Sequence, residues 1–187
     1  MATYGPNFGG SLAFSAVGNT SSDWMNLSTS GQDEASILAA INTNDTIRAG
    51  CDIDPGIGES SSSTIDLTNF GFSVAGAIAG ITVTFDSSLT ISTSLTVQLL
   101  YNGNVVGSSK VAGGIKSLGT PFSLGNSSDV WGSSLTAAQI NSSSFGIRFV
   151  VTSNSGSSRG ANMNYARITI DTSGGGSSVP LASTMLW

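Results

Sequence analysis

The chain has 187 residues, a length that suits one domain with its own core plus a terminal segment. Only 9% of its residues are charged, so most of the polar surface must come from Ser, Thr, Asn and Gly. Its six Lys and Arg residues argue against nucleic-acid binding, which needs clustered bases. The absence of histidine excludes a Ser-His-Asp triad, a Cys-His dyad and a histidine-ligated metal.

Residues 1–30 are rich in Gly, Ser and Asn and carry scattered aromatic rings. We interpret them as a flexible N-terminal arm or a first strand, with a strand possible at 12–17. The first six residues lack the basic and apolar regions of a secretory signal. No apolar run reaches the roughly 18 residues of a membrane helix. We therefore expect a protein made in the cytoplasm of its host cell, with no membrane partner.

Two short segments have helical character. Asp33 and Glu34 precede Ile37, Leu38 and Ile41, which predicts a short amphipathic helix that starts after residue 30 or 31. The segment 135–140 is typical of a single helical turn between strands. Neither segment is long enough to change the fold class.

From residue 45 onward the sequence is typical of short strands separated by turns. Apolar residues alternate with threonines at 81–85, as in a half-buried strand. Asn102-Gly103, between two strand-like runs, predicts a hairpin. The pattern predicts an all-β fold, an antiparallel and jelly-roll-like β-sandwich over residues 31–171. Its predicted core includes Val83, Phe85, Leu99, Phe149 and Ile168.

The C-terminal residues 172–187 differ in composition from the domain. A Gly/Ser stretch of flexible-linker type is followed by apolar residues. We interpret these as an assembly tail that docks on another protein surface; its candidate residues are Val179, Leu181, Met185, Leu186 and Trp187. A tail folded back on its own domain and an expression scar are the alternatives.

Residues with catalytic potential are few. Cys51 is the only cysteine and lies in a strand-like stretch, so we predict a buried core residue. Asp52, Asp54 and Glu59 form the densest acidic cluster, which we interpret as a solvated loop rather than a calcium or glycosidase site. We therefore predict no enzymatic activity, no catalytic residue, no cofactor and no bound metal.

The aromatic residues leave two interpretations open. A sugar-stacking surface would use amphipathic rings, whereas in most proteins such rings fill a core or seal a subunit interface. We predict that Trp131 is structural. The candidate rings are Tyr4, Trp24, Tyr101, Trp131 and Tyr165.

Five segments in the same order resemble a domain of phage virion proteins. TNFGFS at 68–73 is similar to that family's NFGFS motif, and VQLL at 97–100 with VGSSK at 106–110 to its VQLLKGGTPVGSSK pattern. GNSSDVWG at 125–132 resembles GGSSDLWG, LTAAQINSSSFGI at 135–147 resembles LTPADINSSNFGV, and NYARITI at 164–170 resembles VDYVRVTV. The resemblance covers roughly residues 45–171, and Gln139 replaces the family's usual acid.

The resemblance implies a β-sandwich without catalytic residues and a location in the virion. A short chain with one such domain suggests a capsid decoration or cement protein that stabilises the head by binding the shell. The implied partner is the major capsid protein or another virion protein, with a homo-oligomer, most simply a trimer. The alternative is a tail- or fibre-associated adhesin module that binds carbohydrate of the host surface.

Overall fold

A computed structural model describes residues 1–15, 24–30, 32–45, 47–54, 60–114, 116–153, 155 and 159–174. Within these ranges the chain forms strands β1 to β11 and helices α1 and α2. The strands are β1 Ala2–Phe8, β2 Ser11–Ser15, β3 Met25–Asn26, β4 Ala49–Ile53, β5 Thr64–Thr68, β6 Ala77–Leu89, β7 Thr93–Tyr101, β8 Asn104–Gly113, β9 Phe122–Asn126, β10 Phe145–Ser153 and β11 Arg159–Ser173. The helices are α1 Glu34–Ile41 and α2 Ala137–Ile140. Neither is long or apolar enough to cross a membrane.

The strands form two antiparallel sheets. Sheet A has the order β3-β4-β11-β6-β9, and β1 also pairs with β11. Sheet B has the order β2-β5-β10-β7-β8. The predicted antiparallel β-sandwich is therefore confirmed. Residues 1–30 contribute β1 and β3 to sheet A and β2 to sheet B, so the described part of the N-terminal segment is built into both layers.

The core lies between the sheets, where alternate residues of each strand point inward. The five residues predicted for it, Val83, Phe85, Leu99, Phe149 and Ile168, are each 0% exposed. Aromatic rings meet across the interior. The Phe149 ring centroid lies 5.9 Å from those of Trp24 and Phe85, both edge-on. Such edge-to-face pairs add to the stabilisation that comes from burial.

Both predicted helices are present, and each is capped by its own sequence. The Asp33 side chain accepts a hydrogen bond from Ser36 N and so caps α1, which begins at Glu34. In α2, Thr136 and Gln139 form a reciprocal capping box. Buried Ile41 and Ile140 anchor the two helices to the core. The predicted hairpin is also present, because Asn102 and Gly103 have the positive φ values that a two-residue turn needs.

The segments that resemble phage virion domains contact one another. Asn141 donates from Nδ2 to Val74 O at 3.0 Å and accepts from Val74 N at 2.6 Å. The Phe72 and Phe145 rings lie 6.2 Å apart. The Trp131 indole, 0% exposed, donates to Ile81 O at 2.8 Å. These contacts between the shared motifs therefore stabilise the sandwich.

Candidate binding surfaces

Cys51 is a buried residue of β4, as predicted. It is 7% exposed, and burial raises the pKa of its thiol from 9.0 to about 12. A nucleophilic cysteine needs the thiolate form near neutral pH. Cys51 keeps its proton at neutral pH and therefore has a structural role.

Two carboxylates of the described surface are held in ion pairs. Arg148 donates to both oxygens of Asp66, at 2.6 and 2.7 Å, and this pairing raises the pKa of the arginine. Lys110 Nζ lies 2.6 Å from Asp129 Oδ2, and its hydrogen bond lowers the pKa of that carboxyl. Both pairs bridge neighbouring parts of the fold, which is a structural role.

The acidic cluster predicted to be a solvated loop is described only in part. Asp52 is exposed at the end of β4 and Asp54 follows it, whereas residues 55–59, including Glu59, lie outside the described residues. Across the part of the chain that is described, no group of three or more Cys, Asp or Glu side chains is placed to hold a metal ion.

Most of the candidate aromatic rings are buried. Trp24 and Trp131 are 0% exposed and Tyr165 is 3% exposed, so they offer no face for sugar stacking. The prediction that Trp131 is structural is confirmed. Tyr4 and Tyr101 are half-buried, and the Tyr4 hydroxyl lies 3.4 Å from Ala75 O.

A groove of about 350 Å³ opens on the outer face of sheet A. Two glycines lie in its floor, Gly50 opposite Asn162 and Gly160 opposite Asp52. Gly160 is half-buried, whereas Gly50 is buried under the Leu27 and Asn162 side chains. We call this groove the glycine-floored groove. A Cβ on Gly160 would lie 2.2 Å from Cys51 O, and one on Gly50 would lie 2.8 Å from Asn162 Oδ1. Position 160 therefore requires glycine, because the nearest atoms belong to the backbone, whereas at position 50 the nearest atoms are side-chain ends that can shift.

The walls of the glycine-floored groove are mixed in character. Leu27, 48% exposed, and Met25 supply an aliphatic side. The polar side chains at its edge are Asp52, Ser88, Thr90 and Asn162. A carboxylate, an amide and two hydroxyls can donate and accept hydrogen bonds beside an apolar contact. This combination suits a ligand that carries both hydroxyl groups and C–H surface.

A second surface is the outer face of sheet B. Thr96 lies between Val111 and Val150, and Ser94 between Gly113 and Thr152. Val111 is 58% exposed. The mutually neutralised Asp66–Arg148 pair belongs to the same sheet. Around Thr96 the face is thus rich in small side chains, and the Asp66–Arg148 pair adds no net charge, as suits close packing against protein.

Sequence reasoning did not identify the glycine-floored groove. The available signal was a glycine inside a predicted strand, which often marks a place where another group approaches the backbone closely. That signal says nothing about which strands become neighbours. The predicted assembly-tail residues 179–187 lie outside the described residues.

Comparisons with known proteins assign the chain to no family. No protein-family model matches the chain, and no curated protein matches it. Among solved structures, TmCBM61 in complex with β-1,4-galactotriose is similar, with a TM-score of 0.41 and 8% identity over 87% of this chain and 93% of that one. A likeness this low carries no argument about ligand or function.

Proposed function

We propose that the chain is a non-enzymatic binding module that holds carbohydrate in the glycine-floored groove, as a tail- or fibre-associated adhesin does. The supporting observation is the pairing of Leu27 and Met25 with Asp52 and Asn162 around one cavity. Sugars present C–H faces and hydroxyl edges, and each finds a partner there. The volume of about 350 Å³ falls within the roughly 300–1,000 Å³ of small-molecule sites.

The backbone beneath the groove is a paired sheet, so ligand binding needs no rearrangement of its strands. Asn162 lies opposite Gly50 on one side and Ser88 on the other, so three strands set the backbone positions of the polar residues. One groove gives weak affinity. A homo-oligomer, such as a trimer, would multiply weak contacts with a repetitive glycan through effective concentration.

We propose that the groove binds its ligand without catalysis. Glycosidases use a pair of carboxyl groups on either side of the scissile bond. Asp52 is the single carboxylate among the described residues that line the groove. One carboxylate can bind a hydroxyl pair, but it does not supply both an acid and a nucleophile.

The test is a glycan array followed by calorimetry with the best ligand. We expect Asn162→Ala and Asp52→Asn to reduce affinity at least about tenfold, the loss of one or two hydrogen bonds to a neutral ligand. Thr96→Ala, on the other sheet, should bind like the wild type. Absence of any glycan ligand, or equal affinity of all variants, would refute this function. Release of reducing ends would show that the chain is an enzyme.

A second candidate function is capsid decoration in the virion, with the major capsid protein as partner. It is supported by the resemblance to phage virion domains and by the outer face of sheet B, whose Asp66–Arg148 pair carries no net charge. Burying this face leaves neither of these charges unpaired, because Asp66 and Arg148 already contact each other at 2.6 Å. In this role the chain stabilises the head by covering its shell.

Crossed variants separate the two functions. Thr96→Arg places an unpaired charge on the outer face of sheet B, so we expect it to lower the number of copies on purified phage heads. Asn162→Ala should leave that number unchanged. Copies recovered with tails rather than heads, with glycan binding intact, would reject the decoration role.

A further inference from the structure

A second groove lies where β6 begins, away from the glycine-floored groove. We call it the strand-end groove. It has a volume of about 420 Å³ and is closed on one side by the segment that leads into α2. Its lining is mainly aliphatic, from Ala77, Ile78, Val130, Leu135 and Ala137. Ala77 is exposed and Ile78 is half-exposed, so apolar surface faces solvent here.

Strand β11 ends at the rim of the strand-end groove. Ser173 pairs with Ala77 and Thr172 pairs with Ile78, and both partners line the groove. Gly174 follows with a φ of 78°, which ends the extended backbone. Residues 175–187 are therefore attached directly beside the strand-end groove.

The chemistry of that segment matches the groove. Residues 175–187 contain no charged side chain and carry Val179, Leu181, Met185, Leu186 and Trp187. The Gly/Ser stretch between Gly174 and Val179 spans about 17 Å when extended. The apolar residues can thus reach any part of the groove from its rim.

We propose that the strand-end groove binds residues 179–187 of the same chain. The same molecule is favoured over a neighbour because a short Gly/Ser linker holds the segment at an effective concentration in the millimolar range. Binding covers the exposed aliphatic residues of the groove and of the segment together. In this arrangement the C-terminal segment is bound to its own domain.

A neighbouring depression extends the strand-end groove. It has a volume of about 250 Å³, shares Ser133, Ser134 and Leu135 with the strand-end groove, and reaches Val106 on β8. Nine residues in extended form span roughly 30 Å, more than one small cavity accommodates. The second depression is lined mainly by Gly, Ser and Gln, with Val106 and Leu135 as its apolar residues, so the two depressions together offer a longer track of mixed character beside Leu135.

The experiment is hydrogen exchange on the full chain, read by mass spectrometry. We expect amides of residues 179–187 to exchange at least about tenfold more slowly than an unstructured peptide. Ala137→Glu places a charge in the groove and should abolish this protection. Ala138→Glu, exposed on the same helix and outside the groove, is the matched control and should keep it.

Sedimentation at the same concentrations identifies the source of the segment. Protection in the monomer supports binding within one chain. Protection only in an oligomer assigns the segment to a second copy and overturns the proposal, as does protection that survives Ala137→Glu. If circular dichroism shows that the Ala137→Glu variant does not fold, Leu181→Ser tests the same contact from the segment side. Unchanged protection in the Leu181→Ser variant refutes the proposal.

Discussion

Replacing Phe149 by alanine tests the register of the sandwich. Phe149 is 0% exposed in β10, and its ring meets Trp24 and Phe85 at 5.9 Å. Removing a buried phenylalanine costs about 3–5 kcal/mol, from lost transfer free energy and from the cavity left behind. We expect the upper half of that range, because two edge-to-face ring contacts are lost with the side chain.

Urea unfolding followed by circular dichroism measures this effect. With an m-value of about 2 kcal/mol/M, a loss of about 4 kcal/mol lowers the midpoint by about 2 M. Total stabilities of domains lie near 5–15 kcal/mol. The Phe149→Ala domain should therefore remain folded in dilute buffer, but with a much narrower margin.

Val150→Ala is the matched control, one residue along the same strand and half-buried on the outer face. Its cost should stay within about 1 kcal/mol, the span of strand propensities. A slip of one residue exchanges the inner and outer faces. Equal losses for the two variants, or a larger loss for Val150→Ala, would refute the register of β10.

Three further outcomes follow from single contacts. Cys51 should resist thiol reagents at pH 8 in the folded protein and react once the protein is unfolded, and labelling of the native protein at pH 8 would contradict its burial. Because burial raises the pKa of the thiol from 9.0 to about 12, its contribution to the free energy of unfolding is present below pH 9.0 and is lost as the pH rises toward 12. Asp129→Asn should lower the free energy of unfolding by about 0.5–1 kcal/mol at pH 7. Since Lys110 lowers the pKa of Asp129 below 3.8, the difference in unfolding free energy between this variant and the wild type should vanish in acid. A difference that grows in acid would contradict the Lys110–Asp129 pairing. Trp131→Phe leaves the Ile81 carbonyl without its indole donor and should cost about 1–3 kcal/mol by thermal melting, whereas an unchanged melting temperature would show that this hydrogen bond adds nothing.

The sequence predicted best those elements whose pattern is local. The alternation at 81–85 and the Asn102-Gly103 turn each depend on neighbouring residues, and the structure contains both. The first helix is also present, but it begins at Glu34 rather than directly after residue 30 or 31, because Asp33 caps it instead of lying in its first turn. β1 was harder to predict. Its register with β11 shifts between Tyr4 and Asn7, so the segment lacks a clean period of two. Its strand character comes from a partner far along the chain.

The glycine-floored groove was not predictable for the same reason. Gly50 and Gly160 share its floor only because β4 pairs with β11 in one particular register. More than one hundred residues separate the two strands, and no local pattern encodes that register. Likewise, the motifs that carry the resemblance determine packing around Trp131 and Asn141, so they predict the fold and leave the ligand open.

The position of β11 has a consequence for synthesis on the ribosome. This last strand lies in the middle of sheet A and pairs with β1, β4 and β6, with contacts such as Ala2 to Thr172 that span nearly the whole chain. Until residues 159–173 emerge, those three strands lack their common neighbour. Folding that depends on such distant contacts is slow, and unpaired strand edges are prone to aggregate. The complete sheet A therefore forms only after β11 has been translated, and until then β1, β4 and β6 expose the edges that β11 later covers.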